Sequence, residues 1–288
     1  MRARSSLVEA LALVEALALA GSVGGCKQDA AAAVNDAGVD GCAVLFGNPN
    51  DQTGLSDAQC RPTCACGGSA FTPPTYDAAF VQRLIDGFTL ATPYAELGAD
   101  PYAGPAPGDD PAGTVCAVLP SGDPKATPRP YQLVTYPSED AARAAGAAVT
   151  HFGHCGVCSP LVDLAVYVAQ NDLTAPVRAC ELEQPSDGGS ALSADVACLQ
   201  KLGFDLPCAE AWAYDTAHTR SKCLSICLAN LDQPYNLEDG TLNPCIQCDE
   251  DESGPVFKAV AGRTRRNSGL PNAICRPCSE VRPLVHAY

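Results

Sequence analysis

The chain holds 288 residues with 33 acidic and 18 basic side chains, a formal charge of −15, and 17 cysteines. So acidic a surface argues against general nucleic-acid binding, because a phosphate backbone has to be neutralised by cations. With 47 % hydrophobic residues the chain can bury a core of its own, and disulfides supplement that core instead of replacing it.

Residues 1–25 read as an export signal. Arg2 and Arg4 precede a run of Leu, Val and Ala, and small residues lead into Val23-Gly24-Gly25-Cys26. Those four residues resemble a bacterial lipobox, in which Cys26 becomes the acylated first residue of the mature protein. Each buried methylene of an acyl chain contributes about 0.8 kcal/mol, so several chains hold a domain at a membrane. Glu9 and Glu15 leave only Ala16 to Gly25 uncharged, too short a stretch for a spanning helix. Ala18-Leu19-Ala20 offers an ordinary signal peptidase an alternative site. Cysteine parity favours the lipid: diverting Cys26 leaves an even number for disulfides, which persist in oxidising compartments.

Residues 26–41 form the anchor cysteine and a small, polar tether. Residues 42–113 make an irregular Cys-rich N-terminal segment. Within it Phe80, Val81, Leu84, Ile85 and Phe88 predict a helix over 77–88, and a stretch dense in Pro, Gly and Asp predicts a loop over 93–113. Residues 114–288 are expected to be a disulfide-stapled, mainly helical domain. It starts with two strands, 114–119 and 131–136. Ser138 caps a helix expected to run to about Thr150. Ser159-Pro160 opens another, apolar on all sides and therefore buried.

Further helices are predicted over 193–203 and from Pro207 to about Asn230. Along that last helix Cys208 and Cys223 would lie about 22 Å apart at 1.5 Å per residue, beyond disulfide reach. Cys223 and Cys227 share a face with parallel Cβ vectors, so all three must reach other elements. Residues 256–260 and 270–274 predict a small C-terminal β-hairpin around Asn267-Ser268-Gly269. The fold class is α+β, mainly helical and disulfide-rich.

The sharpest local cluster is His151-Phe152-Gly153-His154-Cys155-Gly156-Val157-Cys158. A CxxC at a helix start lowers thiol pKa, which suits a thiol–disulfide oxidoreductase with Cys155 as nucleophile and Cys158 as resolving thiol. Against it, a helix is expected before the motif, where thioredoxin-like folds have a strand. Two imidazoles and two thiolates, His151, His154, Cys155 and Cys158, would alternatively hold zinc. An ordinary disulfide beside two surface histidines is the third reading, and the one an oxidising compartment favours.

Cys245-Ile-Gln-Cys248 and Cys275-Arg-Pro-Cys278 have zinc-ribbon spacing, but export favours disulfides, with a bridge between the two knuckles as one arrangement. Arg263, Arg265 and Arg266 lie in a locally basic C-terminal stretch. They either bind an anion such as phosphate, sulfate or an acidic polysaccharide, or pair with the acidic run Asp249-Glu250-Asp251-Glu252. The internal pairing is preferred. His218 and His286 are read as structural. P-loop, GxSxG and HExxH motifs are absent.

From about Tyr131 onward the chain resembles an uncharacterised family of exported Cys-rich proteins. The blocks that carry the resemblance are His151–Ser159, Asp163-Leu-Ala-Val-Tyr167, Trp212-Ala-Tyr-Asp215, Cys245–Asp251, Ala261–Gly269 and Cys275–Cys278. It implies one shared folded unit and no assigned reaction. The reading is an extracytoplasmic, membrane-anchored binding or structural protein with no expected cofactor. Its partners are the membrane, through the N-terminal lipid, and a protein, glycan or anion ligand. The oxidoreductase and the zinc protein are the alternatives.

Overall fold

The computed structural model describes residues 41–66, 69–182 and 190–288. The expected export signal, Cys26 and the tether lie outside the described residues. The described residues belong to one compact α+β unit. No helix among them is long and apolar enough to cross a membrane.

Three short strands open the described chain: β1 (Leu45–Phe46), β2 (Cys60–Arg61) and β3 (Cys64–Cys66), with β4 (Ser69–Phe71) turning back onto β3. Asp77 then caps α1 (Ala78–Asp86), its side chain accepting the Phe80 N–H at 2.8 Å, and α1 buries Phe80 and Leu84. β5 (Phe88–Leu90), β6 (Val115–Pro120) and β7 (Arg129–Tyr136) follow. Ser138 caps α2 (Glu139–Ala144) through the Ala141 N–H.

The chain does not continue as helix to Thr150. Gly146, at φ +74°, ends it, and residues 148–152 form strand β8. Here sheet pairing overrides the helix propensity of an Ala-rich run, since β8 completes a four-stranded sheet in the order β5-β7-β6-β8. Cys116 pairs with His151 and Ala117 with Val149, so Thr150 is the extra residue of a β-bulge.

The second half is helical: α3 (Leu161–Ala169), α4 (Thr174–Leu182), α5 (Ala191–Lys201), α6 (Leu206–Ala229), α7 (Pro244–Glu252) and α8 (Gly254–Ala261). α3 is buried nearly all round, as its composition requires, and forms the centre of the main core with Leu84, Leu199 and Phe204. Asn243 caps α7 by accepting the Ile246 N–H at 2.9 Å, with Pro244 in the first turn.

The expected C-terminal hairpin is not formed. Residues 256–260 lie in α8, which Pro255 opens and Gly262 closes, the latter at φ +73°. The last strand, β9 (Arg276–Pro277), instead pairs antiparallel with β1, which also runs parallel to β2.

Candidate functional site

All sixteen cysteines from Cys42 onward are paired, in eight bonds. None of the three CxxC motifs closes on itself. Cys155 bonds Cys116, and Cys158 bonds Cys208. The expected redox pair is therefore two separate staples, one to the sheet and one to α6. A strand, not a helix, precedes the motif, so the local topology gave no warning. The reason is long-range: β6 and the first turn of α6 bring a sulfur to each thiol.

The zinc-ribbon spacing is likewise overturned. Cys245 and Cys248 face α6 and bond Cys227 and Cys223. Cys275 and Cys278 bond Cys60 and Cys64. The bridge between the two knuckles is not made either. On α6 an i, i+4 pair and on α7 an i, i+3 pair each present two sulfurs to one helix face, so two parallel bonds lock these helices together.

The histidines of the motif do not converge on sulfur. His151 is wholly buried. Its Nδ1 lies 3.0 Å from the Phe152 carbonyl oxygen, which only accepts, so Nδ1 carries the proton. Nε2 then accepts from the Ser159 hydroxyl at 2.7 Å. Ser159 Oγ also accepts the Gly156 N–H at 2.8 Å, and so it closes this turn instead of capping α3. Burial and the neighbouring Arg263 hold His151 well below the usual imidazole range. His154 has Nδ1 2.9 Å from the Asp110 carboxylate and Nε2 2.6 Å from the Ala259 oxygen. With these nitrogens engaged and both sulfurs bonded, the four expected ligands cannot hold zinc. Among the described residues no group of His, Cys, Asp and Glu could hold a metal ion.

The arginines proposed for anions are also committed internally. Arg263 is wholly buried and makes five hydrogen bonds. Nε donates to Cys158 O at 3.0 Å, Nη1 to Thr150 O at 2.9 Å, and Nη2 to Ser159 O at 2.8 Å and Thr150 Oγ1 at 2.7 Å. A weaker contact reaches Ser268 Oγ at 3.5 Å. The bulge at Thr150 is what frees its carbonyl for this role. Arg265 donates to the carbonyls of Tyr167, Gln170 and Pro271. Arg266 pairs with Glu250 at 2.6 Å and Glu280 at 3.0 Å. The preferred pairing with the acidic run therefore holds for Arg266 and Glu250, while Arg263 and Arg265 organise backbone carbonyls.

Beside the motif lies a cleft of about 900 Å³. α6 and the residues just after it supply much of its wall: Trp212, Asp215 and Thr219 on one face of the helix, Leu224 and Leu228 turned well away from that face, and Leu231 beyond the helix end. Tyr167 and Phe257 complete an aromatic floor, with the Trp212 and Phe257 rings 4.6 Å apart and Arg265 5.6 Å from the Tyr167 ring centre. Among the described residues the buried Trp212 indole N–H and Tyr167 hydroxyl have no well-formed hydrogen bond, only a weak mutual approach. The three leucines are 51 %, 59 % and 55 % exposed, Leu224 and Leu228 one turn apart on α6 and Leu231 past its end.

Next to Trp212 the cleft has an acidic corner. Asp215 is buried and accepts the Tyr102 hydroxyl at 2.8 Å. Tyr102 stacks on His218 at 4.3 Å, and His218 Nδ1 meets Ser253 Oγ at 3.0 Å. Asp249 accepts from Thr219 Oγ1, which also meets Ser253 Oγ at 2.6 Å. Burial, reinforced by Asp249, pushes the Asp215 carboxyl well above its usual range, and burial raises Asp249 to about 6.

Trp212, Asp215, Thr219 and the three leucines were assigned no role from the sequence. The one available signal was the set of large apolar residues Leu224, Ile226, Leu228 and Leu231, which continues past the part of the helix that packs into the core. Residues 192–283, which hold α5 to α8, match the model of a family of unknown function (DUF8771). No curated protein and no solved structure matches the chain. The comparisons thus make about a third of the chain similar to one uncharacterised family.

Proposed function

We propose that the protein is an extracytoplasmic, lipid-anchored binding protein whose ligand lies in the cleft along α6. Eight disulfides suit an oxidising compartment. Those bonds account for all sixteen described cysteines, which is compatible with an acylated Cys26. Binding is favoured over thiol exchange because both sulfurs of the 155–158 motif are engaged in staples to other elements.

The observation that carries the reading is the cleft itself. It has the size of a small-molecule site, mostly apolar walls and a few polar groups gathered at one end. Leu224, Leu228 and Leu231, large apolar side chains left exposed beside it, support an interaction site in the same way.

Trp212 is the only tryptophan and sits in the cleft wall, so its emission reports occupancy directly. Titration with a panel of amphiphiles and short peptides is expected to give a saturable change in Trp212 fluorescence, weakened by Leu228→Asp. A panel that leaves the emission unchanged, with the protein folded, would remove the binding reading. The anchor is tested separately: the intact mature protein should carry acyl mass on Cys26, absent in Cys26→Ser.

A further inference from the structure

The apolar surface at the C-terminal end of α6 is only partly explained by the cleft. Among the described residues six large hydrophobic side chains are well exposed, and four of them, Leu224, Ile226, Leu228 and Leu231, fall together here. The leucines border the cleft, but Ile226 is outside its lining. At about 100° per residue Ile226 projects about 160–200° round the helix from Leu224 and Leu228. Between these two flanks α7 is fixed to the helix by Cys223–Cys248 and Cys227–Cys245. A flat protein face could cover one flank of such a ridge and would leave the other in water. A fluid apolar medium covers both.

The helix end is also prepared to leave water. The Asn230 N–H donates to Cys227 O at 3.1 Å and its Nδ2 to Ile226 O at 2.7 Å, so two carbonyls that a helix end usually gives to water are bonded. From Thr216 to Leu231 the sequence holds Arg220 and Lys222 and no carboxylate, and Asp232 follows directly. Arg220 pairs with Glu181. Lys222 is exposed one turn before Ile226, where its stem can lie on apolar surface while the ammonium meets a lipid phosphate. Leu224 to Leu228 spans about 6 Å of helix axis, within the about 5–10 Å to which interfacial elements sink.

The entry of the chain lies beside the same surface. Just after the tip, the Tyr235 N–H donates to Gln52 O at 2.8 Å and the Asn236 N–H to Thr53 O at 2.9 Å, and Gly240 lies against Leu45. Residues 26 to 41 reach at most about 50 Å when extended. An acyl group on Cys26 and the end of α6 can therefore meet one bilayer.

We infer that Leu224, Ile226, Leu228 and Leu231 form a membrane-contact tip, seated in the interfacial layer of the bilayer that holds the Cys26 anchor. This rests on the lipid-anchored reading proposed above and adds a second point of attachment, and with it a fixed orientation of the domain.

The test uses the mature chain beginning at Cys26, coupled through that residue to a maleimide lipid in phosphatidylcholine vesicles. The other sixteen cysteines are in disulfides, and the tether does not depend on acylation by the cell, which is measured separately by mass. Leu228→Trp places an indole at the tip. Brominated acyl chains are expected to quench its emission beyond that of the parent's Trp212, and Ile226→Asp to remove the extra quenching, with circular dichroism reporting that each variant is folded. For the untethered chain Ile226→Asp should lower partition into the vesicles about tenfold. Quenching at the tip without acylation by the cell supports the contact and removes only the natural anchor. A tethered, folded chain whose tip indole is not quenched overturns the contact and leaves the anchor and the cleft in place. Should that chain also self-associate in a way that Ile226→Asp abolishes, the surface belongs to a second copy.

Discussion

Replacing Arg263 by Met tests the structural reading of the arginine segment most directly. Methionine roughly fills the space of the alkyl stem but offers no donor. The carbonyls of Thr150, Cys158 and Ser159, which now accept bonds of 2.9, 3.0 and 2.8 Å, would be left buried and without their partner. Each such group costs about 1–3 kcal/mol, or about 3–9 together. Removing a charge that is itself wholly buried offsets part of this, and a net loss of about 4 kcal/mol is expected. For a unit of this size that lowers the melting temperature by about 8–16 °C. The assay is thermal unfolding of the oxidised protein followed by far-ultraviolet circular dichroism, with Arg266→Met as the comparison. Arg266 pairs with Glu250 and Glu280 at a side-chain exposure of 36 %, so its loss should cost at most about 1 kcal/mol. A variant at 263 within about 1 kcal/mol of the parent, or less affected than the variant at 266, would refute the role given to the guanidinium.

Gly262 has φ +73° and a Cβ there would stand 2.5 Å from Gly156 N and 2.8 Å from His154 O. Gly262→Ala should therefore cost on the order of 3 kcal/mol in denaturant unfolding, and a neutral result would contradict the close approach of the two segments. Non-reducing peptide mapping should recover Cys116–Cys155 and Cys158–Cys208, and a 155–158 bond would restore the redox reading. Opening Cys60–Cys275 with a double Ser variant should cost only about 2–3 kcal/mol by loop closure, because the neighbouring Cys64–Cys278 bond still closes the long loop.

Burial lowers His286 from 6.5 to about 3, so the unfolded chain takes up the proton first. Its contribution to stability is complete above about pH 6.5 and is lost as pH falls towards about 3. His286→Gln should accordingly gain stability relative to the parent between pH 7 and pH 4. A gap that stays constant over that range would disprove the assignment.

The local signals in the chain are those whose free energy is decided within a few residues. Asp77 and Ser138 cap their helices through the N–H three residues on, and the apolar run after Pro160 is buried as its composition demands. Such contacts form with neighbours that are always close, so spacing alone reveals them. The same reasoning failed at 148–152 and 254–261. There the choice between strand and helix was made by pairing with β6 in one case, and by Pro255 and Gly262 bracketing a helix in the other.

An even set of cysteines apart from Cys26, and their use as disulfides, followed from count and compartment. Their partners did not, because bonds spanning up to 215 residues depend on where whole elements dock. The cleft belongs to the same class. Trp212, Asp215, Leu224 and Leu228 share one helix, which the sequence displays, but what makes them line a cleft is the packing of other elements around that helix. That is a property of every neighbour of α6 together, and no window of the sequence contains it.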